Sequence, residues 1–137
     1  MYTVGREIHF SYGHRLRDYV GKCAHLHGHN GRAVVELASP TLDAKGMVMD
    51  FFEIKSTLGA WINSKLDHRM ILSRKDPLAE LLIQNGEPVA LMDENPTAEA
   101  LARWIFREAK AMGLPVVKVT LWETENSFAV YEELQPR

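Results

Sequence analysis

Val4, Ile8 and Phe10 alternate with polar residues over most of the stretch from Thr3 to Ser11, the period of a half-buried β-strand. From Tyr12 to Gly31 the pattern dissolves into glycines, charges and histidines, which predicts a loop too long to be a mere connector. Arg32 to Ser39 is apolar and β-rich and ends at Pro40, and Met47 to Asp50 reads as a short apolar strand. Ile54, Leu58, Trp61, Ile62 and Leu66 then recur at three- and four-residue steps, predicting a helix over Phe51 to Leu66 with one apolar stripe. A short helix over Leu78 to Ile83, a turn at Asn85-Gly86 and a strand over Val89 to Met92 follow. Thr97 is a fitting N-cap for a second long helix whose apolar face runs Leu101, Ile105, Ala109, Met112, and Gly113 with Pro115 closes it. The strands Val116 to Thr124 and Phe128 to Leu134, joined by Glu125-Asn126-Ser127, complete the chain as a hairpin. Strands, two helices and strands again predict an α+β fold, with both helices on one face of an antiparallel sheet.

Composition narrows the class without changing that outline. A chain of 137 residues, 46% hydrophobic and 25% charged, is expected to form a single domain over 1–137 with a core of its own. A net charge of -2 argues against a nucleic-acid partner held through phosphates. No apolar run approaches a membrane span and the N-terminus lacks a signal-peptide core, so the expected address is cytoplasmic, with no membrane partner. Cys23 is the only cysteine, which excludes an internal disulfide.

The chemistry gathers in Cys23-Ala-His25-Leu-His27-Gly-His29, with His14 just upstream. Histidines two apart in an extended segment project to one side, so His27 and His29 can reach one ion, and Gly28 lets the backbone bend between them. His14 can supply a third nitrogen if the loop folds back. Three neutral imidazoles and one open position describe catalytic zinc. Against this stands a plain solvated loop, and His25 fits the alternation as well as its neighbours do. Cys23 is either a fourth ligand closing a structural site or a thiolate kept reactive by the metal and Lys22. Asp67-His68 is either an acid–imidazole pair for proton transfer or the ordinary finish of a helix. Glu123 continues the face of Val117, Val119 and Leu121. It is either wet at the rim or paired with a planar donor edge through two parallel hydrogen bonds. Arg15, Arg17 and Lys22 either draw a phosphorylated substrate or form a solvated face.

Taken together, Phe10-Ser-Tyr-Gly-His14-Arg-Leu, Lys22-Cys23-Ala-His-Leu-His27-Gly-His29-Asn30, Gly46-Met-Val-Met-Asp50-Phe51, Leu66-Asp67-His68, Asn95-Pro96-Thr97-Ala-Glu99 and Trp122-Glu123-Thr124 resemble the family of 6-pyruvoyltetrahydropterin synthase and 6-carboxytetrahydropterin synthase. They occur in the family's order over nearly the whole chain. The resemblance implies the tunnelling fold, a four-stranded antiparallel sheet with two helices packed on it, and a homo-oligomer (trimer or dimer of trimers) with sites between subunits. It implies zinc on His14, His27 and His29, with His25 outside. Cys23 is the implied catalytic thiol, Asp67 and His68 its supporting pair, Glu123 the pterin anchor, and Thr97 a contact to the ring. The implied substrate is 7,8-dihydroneopterin triphosphate. The implied reaction is a lyase step giving 6-carboxytetrahydropterin, acetaldehyde and triphosphate on the route to 7-deazapurines and queuosine. The three residues between Cys23 and His27 resemble the carboxy-forming type. The alternatives are the pyruvoyl-forming synthase, or a relative that binds pterin without turning it over. Two departures stand out: Tyr12-Gly13 replaces the two small residues common before this histidine, and the segment 71–93 is long.

Overall fold

The computed structural model describes residues 1–133. Its spine is a pair of antiparallel strands, β1 (Tyr2–His14) and β2 (His27–Ser39), matched from Tyr2 opposite Ser39 to His14 opposite His27. Both strands run well into the stretch predicted as a loop, which shrinks to residues 15–26 with one 3-10 turn, Lys22–Ala24. The two-residue period does persist there. It is carried inward by Tyr12, His14, His27 and His29, residue types that read as loop in a hydropathy pattern.

Asp50 caps α1 (Phe51–Ile54), its carboxylate accepting from Phe52 N–H at 2.8 Å. The helix passes through a π-helical turn (Lys55–Gly59) into α2 (Ala60–Lys65), one residue short of the predicted end. Met47 to Asp50 is not a strand. Asp43 takes the N–H groups of Lys45 and Met47 on its carboxylate, turning the chain locally instead of leaving it extended.

The predicted four-stranded antiparallel sheet is in fact six-stranded and mixed, in the order β4-β3-β1-β2-β5-β6. The unpredicted strand is β3 (Arg69–Ser73), which lies parallel to both β1 and β4 (Val89–Met92). Parallel neighbours need a crossover, and α3 (Pro77–Gln84) supplies it, with Asp76 as N-cap and Pro77 in the first turn. On the other side β2, β5 (Val116–Trp122) and β6 (Phe128–Glu132) pair antiparallel. The predicted end of β6 at Leu134 lies outside the described residues. A bulge between Glu36 and Leu37 sets Val116 rather than Val117 on the buried face of β5.

Thr97 caps α4 (Ala98–Ala111), accepting from Ala100 N–H at 3.1 Å, and Gly113 ends the helix region at φ 83°. Ile54, Leu58, Ile62 and Leu66 meet Leu101, Ile105 and Ala109 over Val35, Leu37, Val119 and Leu121, all buried in one cluster. Each such aliphatic side chain removed from water contributes about 1.5–3 kcal/mol. Met112, predicted on that face, is 38% exposed and stands at the C-cap, after the last residue of the helix. Trp61 and Trp104 meet edge to face at 5.6 Å and tie α2 to α4. No helix among the described residues is long and apolar enough to cross a membrane.

Candidate metal centre and adjoining cleft

The ends of β1 and β2 carry their inward residues past the apolar core, and there the side chains change from aliphatic to imidazole. His14 stands opposite His27, and Tyr12 opposite His29. One ligand nitrogen from each of His14, His27 and His29 lies within 4.8 Å of the others. Backbone carbonyls orient two of the rings: His14 Nδ1 is 2.7 Å from Pro96 O, and His27 Nδ1 is 2.7 Å from His25 O. A carbonyl accepts only from an N–H, so Nδ1 carries a proton in both, and in the neutral tautomer this fixes, Nε2 is the nitrogen with the free lone pair. The Nε2 atoms of all three rings are buried and lack a hydrogen-bond partner.

Burial pushes the pKa of His14 down to about 4, with His27 and His29 adding to the effect and the Pro96 carbonyl opposing it. Burial likewise lowers His29, against the charge of Glu123. These two rings are therefore neutral at pH 7 and suited to bind a cation. Three orphaned, converging imidazole nitrogens fit a divalent transition metal, and zinc is bound by such sets. The predicted ligand triad is thus brought together. His25 is exposed and serves through its carbonyl, and Cys23 does not join the group, so a closed site of three histidines and a thiolate is not formed.

A cleft of about 750 Å³ opens beside the histidines. Tyr12, His27, His29 and His68 line it, with Leu26, Met70, Leu82 and Pro88 as apolar walls and Asn85 and Glu87 at one side. The long segment 71–93 supplies much of that wall through α3 and the turn before β4. Gly13 makes room for it: a Cβ there would meet the end of the Met70 side chain at 2.7 Å.

Asp67 and His68 form the turn from α2 into β3 and are clipped to β1. Ser11 N–H donates to Asp67 Oδ1 at 2.8 Å, and His68 N–H donates to Ser11 O at 2.7 Å. His68 Nδ1 lies 2.8 Å from Asp67 Oδ2, and its backbone is left-handed at φ 58°, an uncommon state for a residue with a side chain. Burial works to raise the Asp67 carboxyl, but the Ser11 and His68 hydrogen bonds outweigh it and hold it below the usual carboxylate range. Glu123 continues the buried face of Val119 and Leu121, and its Oε2 is 3.4 Å from His29 Nε2.

Cys23 is free and half-buried in the 3-10 turn, and neither it nor Thr97 is among the residues lining the cleft. Thr97 instead spends its hydroxyl on the α4 cap. The loop that carries Cys23 is anchored twice. Arg15 forms a two-pronged pair with the buried Asp76, and Asn95 holds both the N–H and the carbonyl of Arg17. Arg15 is therefore committed to Asp76 and not to a solvated face. Asp76 escaped the sequence reading, and so did the tasks of Asn95 and Pro96, which stood there only as part of a motif. Only the Asp76-Pro77 start signal, a capping carboxylate before an N1 proline, was there to be read.

A curled sheet backed by helices, with a metal-competent histidine triad at one end, is the tunnelling fold. An uncharacterized protein from Wolinella succinogenes superposes with a TM-score of 0.84 at 26% identity, covering 97% of this chain and 98% of that one. The 6-pyruvoyl tetrahydropterin synthase of Caenorhabditis elegans gives 0.74 at 25%, covering 97% and 96%. Residues 3–134 match the family described as 6-pyruvoyl tetrahydropterin synthase, and the chain belongs to that family. It is similar to proteins named 6-carboxy-5,6,7,8-tetrahydropterin synthase from Aquifex aeolicus (39% identical, covering 96% of this chain and 86% of the relative) and Haemophilus influenzae (33%, covering 97% and 100%).

Proposed function

We propose that this chain is a zinc-dependent lyase converting 7,8-dihydroneopterin triphosphate to 6-carboxytetrahydropterin, with release of acetaldehyde and triphosphate, on the route to 7-deazapurines and queuosine. The observation that carries the reading is the set of three buried, unpartnered Nε2 atoms beside a cleft large enough for a bicyclic ring. The names of relatives at 33–39% identity support the carboxy product over the pyruvoyl one that the more distant nematode protein is named for. The same histidines would serve a pyruvoyl-forming synthase, or a relative that only binds pterin.

His14, His27 and His29 would hold the ion, which supplies a Lewis acid that lowers the pKa of the substrate's side-chain hydroxyls. Cys23 moves a proton to or from the side-chain carbons. His68, oriented through Nδ1 by Asp67, takes up or returns that proton at Nε2. Glu123 accepts two parallel hydrogen bonds from the N–H edge of the ring, and Thr97 contacts the ring. Arg17 and Lys22 on the Cys23 loop attract the triphosphate. The chain acts as one domain in a homo-oligomer, a trimer or two stacked trimers, with sites completed between subunits.

Cys23→Ala tests the assignment. Metal analysis of the variant should still find one zinc per chain, while substrate consumption falls by at least about 100-fold, the scale of a lost acid–base group. Turnover at the wild-type rate would remove Cys23 from the chemistry.

A further inference from the structure

Tyr12 is buried near the end of β1, beside two of the three histidines. The ring stacks on Phe10 with centroids 5.2 Å apart and meets His14 edge to face at 5.3 Å. It leans across β2: a Cβ on Gly31 would meet its Cε1 at 2.9 Å, so the glycine clears a path for the phenol. Arg32 pairs with Trp122, and one further step of that register sets Gly31 opposite Glu123. The ring therefore points from β1, over Gly31, towards that carboxylate. Tyr12 is 3% exposed, and its hydroxyl is buried without a hydrogen-bond partner. Buried hydroxyls are normally paired, so this one points to a partner acquired on binding.

Glu123 meanwhile leans the wrong way for its proposed task. Its Oε2 lies 3.4 Å from His29 Nε2, the atom an ion requires. With an ion on that nitrogen, the carboxylate needs another donor. A carboxylate has acceptor sites enough for one phenol O–H and for two parallel N–H bonds from a ring edge.

We propose that Tyr12 is a positioning residue whose hydroxyl donates to Glu123, drawing it off His29 and holding it for the N–H edge of the bound ring. The inference rests on the pterin reading above. It differs from a core tyrosine that merely fills space, because the work is done by the oxygen alone.

The test compares wild type and Tyr12→Phe, both zinc-loaded, in titrations with 7,8-dihydroneopterin, which carries the ring without the triphosphate. Pterin binding should weaken about tenfold, the loss of one hydrogen bond to a charged group. Zinc should stay at one per chain, and the unfolding midpoint of the protein free of both metal and pterin should stay level or rise, since an unpaired buried hydroxyl has gone. In a Glu123→Gln background the same change should add nothing further. Equal pterin affinity in wild type and Tyr12→Phe overturns the proposal. So does a lowered midpoint in the metal-free protein, which means the hydroxyl already has a partner there, and so do additive losses with Glu123→Gln. If wild type itself binds no pterin, the proposal falls together with the reading beneath it.

Discussion

His14 carries an electrostatic consequence that falls within a readily measured pH range. It is 2% exposed, and burial holds its pKa at about 4, below the ordinary value of 6.5. In the metal-free protein, the unfolded chain takes up a proton at this position as pH falls below about 6.5, while the folded chain resists until about 4. Stability from His14 is thus fully present above the unfolded value and is lost as pH drops across that window. The loss is on the order of 3 kcal/mol. Denaturant unfolding of the metal-free protein at several pH values between 4 and 7 should show it, and His14→Gln should flatten the slope. An equal slope in both proteins would mean that the histidine is not held neutral by the fold. The residue pattern offered His14 with two of His25, His27 and His29, the family resemblance chose His27 and His29, and neither told how the rings are aimed. The carbonyls of Pro96 and His25 do that, and backbone acceptors leave no mark in a side-chain motif.

The elements around the site depend on one clamp. Asp76 caps α3 by accepting from Leu78 N–H at 2.9 Å and pairs with Arg15, one residue beyond His14. The Arg15 hydrogen bond, more than any other influence, keeps the Asp76 carboxyl well below the usual range. Asp76→Ala removes both and leaves a partly covered guanidinium without its partner. It should cost about 2–4 kcal/mol in urea unfolding and speed proteolysis within residues 15–26. Asp76→Asn, which keeps a capping oxygen, should lose less. Equal losses would mean that the ion pair and not the cap matters. Helices and the outer strands were legible in the sequence, because Ile54, Leu58 and Ile62 or Leu101 and Ile105 repeat at helical steps. The inner strand ends were not, because the alternation there is written in Tyr12, His14, His27 and His29, whose polarity hides their burial. β3 was missed for the opposite reason: Met70, Ile71 and Leu72 form a continuous apolar run without alternation, as a strand covered on both sides does.

At the scale of the whole molecule, the described sheet has two edges, β4 and β6. β6 shows Phe128 and Val130 to solvent, and an uncovered edge of this kind invites pairing with another chain. The proposed assembly of identical subunits would cover both edges and bring further side chains to each cleft. The triad, the Asp67-His68 turn and Glu123 share one end of one chain, but of the proposed set only His27, His29 and His68 line the cleft. A neighbouring subunit would therefore bear directly on how the proposed catalytic set is completed. The account as a whole stands on one reaction. The purified, zinc-loaded protein should be mixed with 7,8-dihydroneopterin triphosphate and the products identified by mass. Appearance of 6-carboxytetrahydropterin with acetaldehyde and triphosphate is the predicted result. Intact substrate after prolonged incubation would contradict it.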